Sequence, residues 1–156
     1  MAAEQQPQAT LEWSRGKWSS IKGKYSREHL CVLEGGVRLR VTDSWMLLPE
    51  GYRDGARVDP EKMFVASIAS AHMLSWLHLA FSYGIEVESY HDTAVGVLGE
   101  VSPEVHWISE VILNPRIVCN ERSSATAAAQ AKLHELAHAQ CFIANSIKTK
   151  VTVLTG

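Results

Sequence analysis

One segment constrains this chain more than any other: the apolar run from Met63 to Phe81, bracketed by Asp59-Pro60-Glu61 and Gly84. Asp59 can cap a helix, Pro60 suits the first helical position, and Glu61 suits the positive end of the macrodipole. A helix is therefore predicted from this opening to about Tyr83, with Gly84 as its stop. Met63, Phe64, Val65, Ile68, Met73, Leu74, Trp76, Leu77, Leu79 and Phe81 spread around the whole surface. A helix apolar on all sides is expected to be buried. One stripe differs. Ser67, Ala71, Ser75, His78 and Ser82 recur at helical spacing, which predicts a narrow seam for a close helix approach or a site. Ser67, Ser70, His72, Ser75 and His78 interrupt the run before it reaches the ~18 consecutive apolar residues of a membrane span, so no membrane partner is expected.

Strand signals flank this helix. Before it, Leu30, Val32 and Leu33 precede a Gly35-Gly36 turn, and Val37, Leu39 and Val41 then alternate with Arg38, Arg40 and Thr42. Trp45 to Val58, with Pro49, Gly51, Asp54 and Gly55, is predicted to be a loop. After the helix, Ile85–Val101 and Val105–Cys119 suggest two long antiparallel strands around Ser102-Pro103. Ser123 or Ser124 would cap a second helix reaching about Ile147, and Val151, Val153 and Leu154 would form a last strand. The predicted order is β-β-β-α-β-β-α-β, an α+β fold. Residues 1–12 are expected to be a flexible tail and 13–156 a single domain. The net charge of −2 offers no basic surface for a phosphate backbone, so no nucleic-acid partner is expected. No apolar signal-like segment opens the chain, and its three cysteines are widely spaced and odd in number. That pattern fits reduced thiols in a cytoplasmic protein.

Several groups could carry chemistry. His134-Glu135-Leu136-Ala137-His138 is a literal H-E-x-x-H, which on a helix can hold zinc with Glu135 as general base. It lacks a third ligand downstream, and two surface histidines are the plainer reading. His134, His138 and Cys141 also share a helix face that a soft metal could use. Cys141 is either a small packing residue or a thiol activated by nearby His138. Cys31 and Cys119 are expected to be core residues. Arg27 reads as a strand-edge charge and Glu61 as a helix-start charge.

Taken together, Tyr25-Ser26-Arg27-Glu28-His29, Asp59-Pro60-Glu61-Lys62-Met63-Phe64, Ser67-Ile68-Ala69-Ser70-Ala71-His72-Met73-Leu74 and Ala137-His138-Ala139-Gln140-Cys141 resemble the OsmC/Ohr family of osmotically inducible and organic-hydroperoxide-resistance proteins. The segment Gly84–Gly96, with Tyr90-His91-Asp92, is also similar. The resemblance implies an intertwined homodimer with two long central helices and active sites at the subunit interface. It implies a thiol-dependent hydroperoxide reductase that needs no cofactor, only a dithiol reductant as co-substrate. The site residues it implies are Arg27, Glu61 and the resolving cysteine Cys141. The peroxidatic cysteine position, ten residues after Glu61, is Ala71, and a methyl group cannot be a nucleophile. Two readings follow: an altered peroxidase, or a non-catalytic homodimer that binds an apolar or acidic small molecule, with Arg27 as carboxylate anchor and Trp45 or Trp76 as pocket walls.

Overall fold

Local signals set the boundaries of the first helix. In the computed structural model, which describes residues 6–15, 26–44, 57–123 and 125–155, α1 spans Pro60–Ser82. Buried Asp59 accepts the Lys62 N–H on Oδ1 at 2.8 Å, satisfying a free first-turn donor, and Gly84 ends the helix at φ +70°. The chain divides into two compact units, Met1–Met63 and Phe64–Gly156.

In the first unit, β1 (Ala9–Glu12), β2 (His29–Leu33) and β3 (Arg38–Val41) form an antiparallel sheet in that order. Residues 9–12 are thus a strand rather than tail, because they pair with Leu30–Leu33 of β2. Gly35 and Gly36, at φ +86° and +88°, make the tight turn that only glycine enters without strain. Along β3 the alternation holds: Leu39 and Val41 turn inward, Arg38 and Arg40 outward. Val41 is fully buried, and Val58 bridges to it from just before α1. The expected loop lies mostly at residues 45–56, outside the described residues, and Trp45 with it.

The second unit holds most of α1, then β4 (Val87–His91), β5 (Val95–Ser102), β6 (Val105–Leu113), β7 (Arg116–Cys119), α2 (Ala127–Gln140) and β8 (Lys150–Val153). The α+β class stands, but each long strand expected after α1 is two. The first breaks around Asp92, whose carboxylate accepts the Asn114 N–H at 2.7 Å, and the second breaks at Asn114-Pro115. Proline cannot donate to a ladder. β4 pairs with β7 antiparallel, while β5, β6 and β8 form a separate sheet in which β8 lies parallel to β6. Helix α2 also starts later and ends earlier than expected. Thr126, not Ser123 or Ser124, is the cap, its hydroxyl accepting the Ala129 N–H at 3.1 Å. The Ser123 hydroxyl is instead engaged with the Glu86 backbone. Ser124 lies outside the described residues.

Two clusters form the interior of this unit. Ile68 of α1 packs with Val111 and Leu113 of β6, joined by Phe64, Val65, Ile143 and Val151. Gly96 on β5 lets the helix come close, since a Cβ there would lie 2.9 Å from Val65 Cγ2. Further along α1, Trp76 and Ala80 pack with Leu133 and Ala137 of α2 and are backed by Tyr90 and Ile117. The expectation of an all-round buried α1 is corrected here. Only Ile68, His72, Trp76 and Ala80 are buried, one line at a spacing of four. Leu74 is 59% and Phe81 83% exposed. By length and composition α1 could cross a membrane, and 28% of its most apolar window is buried. The small and polar stripe is not the close-packed face either: Ser67, His78 and Ser82 are exposed, with Ser67 and Ser82 hydroxyls bonded to carbonyls of α1 itself.

Candidate functional site

The polar centre of the second unit lies where the buried line of α1 meets α2. His72 from α1 and His134 from α2 are 2% and 6% exposed. His72 Nε2 and His134 Nδ1 share one hydrogen bond of 2.9 Å. The ring centroids are 5.2 Å apart and the planes differ by 7°. That separation is the nitrogen–nitrogen distance plus little more than the two ring radii. The rings therefore meet end to end in nearly one plane, not face to face. Burial, then the positive charges that His134 and His138 would carry, pulls the His72 pKa down to about 4. Burial alone pulls His134 down to about 4. Both rings are neutral at neutral pH.

Trp76, one turn beyond His72, seals the pair. Its ring lies 5.4 Å from His134 and 6.0 Å from Tyr90 of β4, and its indole N–H reaches the Gln130 carbonyl at 3.4 Å. Tyr90 Oη and Asp92 Oδ2 are both buried and lack hydrogen-bond partners. Burial first, and the Asp92 charge second, pushes the Tyr90 phenol well above its usual range. The phenol is therefore neutral.

The residues singled out in the sequence are distributed as follows. Arg27 and Glu61 fall in the first unit. Arg27 Nε pairs with Asp43 Oδ2 at 2.9 Å, so this guanidinium is anchored rather than a free strand-edge charge. Neighbouring Glu28 takes both Arg40 and Arg57. Glu61 Oε2 is buried without a hydrogen-bond partner, so no bond to Arg27 engages that oxygen. A buried carboxylate oxygen left open is suited to receive a donor. Ala71 and Cys141 fall in the second unit. Ala71 is half-buried and directly precedes His72. Cys141 is 2% exposed and caps the end of α2, its backbone N–H bonded to the His138 carbonyl at 3.3 Å. Asn145 grips the Cys141 carbonyl through backbone and side chain.

The H-E-x-x-H reading is corrected in its geometry. His134 is buried against His72, whereas His138 is exposed and Glu135 pairs with Lys132 at 2.8 Å. The two histidines do not act as a pair of surface groups. Among the described residues no group of three or more His, Cys, Asp or Glu side chains is placed to hold a metal. Cys31 is buried as expected, while Cys119 is only half-buried, with its thiol pKa raised by what burial it has. His72, Tyr90 and Asp92 stand in the sequence within stretches of family resemblance, and none is singled out there as a site residue. The available signal was His72 falling on the helix line that also carries Ile68 and Trp76. A groove of about 390 Å³ also opens between the end of α1 and the start of α2, lined by Tyr83, Ile85, Ala129, Leu133 and Leu136, with Lys132 also in its lining. Its mainly apolar wall suits an apolar small molecule.

The fold is shared with known proteins. A family model described as OsmC-like protein matches residues 53–155. An OsmC-like protein of unknown function from Vibrio cholerae is similar at 36% identity and TM-score 0.90, covering 97% of this chain and 99% of that one. An organic hydroperoxide resistance protein from Elizabethkingia anophelis, with thiocyanate bound, shares the fold at 21% identity and TM-score 0.69, covering 98% of each chain. One from Legionella pneumophila does so at 19% identity and TM-score 0.67, covering 95% and 93%. No curated protein sequence matches the chain.

Proposed function

Because the chain belongs to the OsmC-like family, we propose that it is a cytoplasmic homodimer of the organic-hydroperoxide type, retaining the small-molecule pocket but lacking the peroxidatic step. The observation that carries this reading is Ala71 on α1, directly before the buried His72. In the thiol peroxidation that the family resemblance implies, a thiolate attacks one hydroperoxide oxygen and the O–O bond breaks. The alkoxide leaves and takes up a proton, and sulfur becomes a sulfenic acid. A second thiol condenses with it to a disulfide, releasing water, and a dithiol returns both sulfurs to thiols. A methyl group at residue 71 removes the first sulfur. Cys141, the counterpart of the resolving thiol, is buried at the end of α2 and is poorly placed to meet a bulky hydroperoxide. Arg27 remains a ligand anchor, held by Asp43. Structural neighbours named for organic hydroperoxide resistance support the ligand class. The exposed Leu74 and Phe81 on α1 support a second copy of the chain as partner.

The test is turnover of cumene hydroperoxide with dithiothreitol. The chain as it stands is expected to show none above buffer. Ala71→Cys is expected to gain turnover that Cys141→Ser then weakens. If Ala71→Cys gains nothing, the hydroperoxide reading fails. If the parent chain turns over and loses this on Cys141→Ser, the non-catalytic reading is replaced by a one-cysteine peroxidase.

A further inference from the structure

We infer that His72 and His134 form a proton relay across the seam between α1 and α2, passing a proton from one outer ring nitrogen to the other. This goes beyond the hydroperoxide reading and needs neither a nucleophile at residue 71 nor any ligand. Its basis is the end-to-end geometry. The inner nitrogens, His72 Nε2 and His134 Nδ1, point along one line at 2.9 Å, so a proton between them has a short, straight path. Among the described residues, no hydrogen bond engages the outer nitrogens, His72 Nδ1 and His134 Nε2. In the proposed relay the two outer nitrogens exchange protons with water at the ring edges, while the middle is buried under Trp76.

Two neutral imidazoles carry two protons, one on each ring. In one arrangement His72 Nε2–H donates to His134 Nδ1, leaving His72 Nδ1 bare and His134 Nε2 protonated. If a proton arrives at His72 Nδ1, the central proton crosses to His134 Nδ1 and the proton on His134 Nε2 leaves. One proton has entered and one has left. The pair ends as the opposite tautomer, neutral as before. Neutral start and end states matter here, because an imidazolium held in this site is costly, and among the described residues the titratable groups acting on His72 are His134 and His138, each a cation when protonated. Such a relay suits a hydroxyl, hydroperoxyl or thiol compound, whose X–H proton must be given or taken.

The measurement is long-range ¹H–¹⁵N correlation of the imidazole nitrogens in the uniformly ¹⁵N-labelled full chain. A relay predicts that all four nitrogens of the pair resonate between the protonated and bare positions, as an average of two tautomer pairs. It also predicts that neither ring titrates between about pH 5.5 and 8. Two protonated and two bare nitrogens, frozen in one arrangement, would mean a static structural bond and would overturn the relay. So would an ordinary titration of either ring. His134→Asn keeps a hydrogen-bonding group at the end of the pair but cannot pass a proton. In that variant His72 is expected to settle into one tautomer. Continued averaging of His72 there would equally overturn the proposal, while the measurement on the parent chain stands whether or not the variant folds.

Discussion

Acid should weaken this protein through one buried pair, and the size of the effect follows from its surroundings. His72 and His134 are held at about 4 in the folded chain against an ordinary 6.5. Between those values the unfolded chain binds protons that the folded chain refuses. Stability is therefore full above pH 6.5, falls as the pH drops towards 4, and levels off below. For one ring the loss near pH 5 is about 2 kcal/mol. The unfolded chain protonates both rings near 6.5, while in the folded pair a second proton enters only at still lower pH, so the two losses add to about 4 kcal/mol near pH 5. The group that presses on the pair from α2 is His138, exposed and screened, and from α1 and β4 the neighbours are the uncharged Trp76 and Tyr90. The assay is urea unfolding near pH 7.5 and pH 5 at fixed salt and protein concentration, for the parent and for the double variant His72→Leu/His134→Leu. Five of the chain's seven histidines remain in the variant and supply a common background. The parent should lose about 4 kcal/mol more than the variant on acidification. Equal losses, within about 0.5 kcal/mol, would refute the claim that this pair is buried and neutral.

Other outcomes follow from the same packing. Trp76 is wholly buried where α1, α2 and β4 meet, and Trp76→Ala should cost about 3–5 kcal/mol in urea unfolding. In the native state a thiol reagent should label Cys119 first and slowly, its thiol being half-buried and raised in pKa. Cys31 and Cys141 should react only after denaturation, which mass spectrometry of labelled peptides would show. If α1 contributes its exposed face to a homodimer, Phe81→Glu should shift the mass measured by light scattering towards that of a single chain.

The sequence made some of this legible because the causes were local. Asp59, Pro60 and Gly84 act within one turn of α1, and both ends of that helix fell where expected. The start of α2 was less legible. Ser123, Ser124 and Thr126 are all able caps, and the Ser123 hydroxyl is engaged with Glu86, 37 residues away. The breaks after β4 and β6 had a visible sign in Pro115, but the Asp92–Asn114 bond joins residues 22 apart. At the site, His72 and His134 are 62 residues apart and no spacing rule links them. The H-E-x-x-H pattern drew attention to His134 for a metal, whereas its real partner is another imidazole. The apolar stretch of α1 did not disclose that a single line of it would be buried, since composition fixes how much apolar surface a helix has and not how much its own chain can cover.

The bare backbone at Gly96 ties two positions together. With Val65 Cγ2 2.9 Å from where a Cβ would stand, the space between β5 and α1 holds one methyl's worth of side chain and no more. Alanine at residue 96 alone would push the helix away from the sheet, and alanine at residue 65 alone would leave a hole. Made together, the two changes take two methyl carbons from the helix and return one on the strand, filling part of the hole without the clash. The two positions are thus coupled through one gap, and changing both should cost less than the sum of the two separate costs.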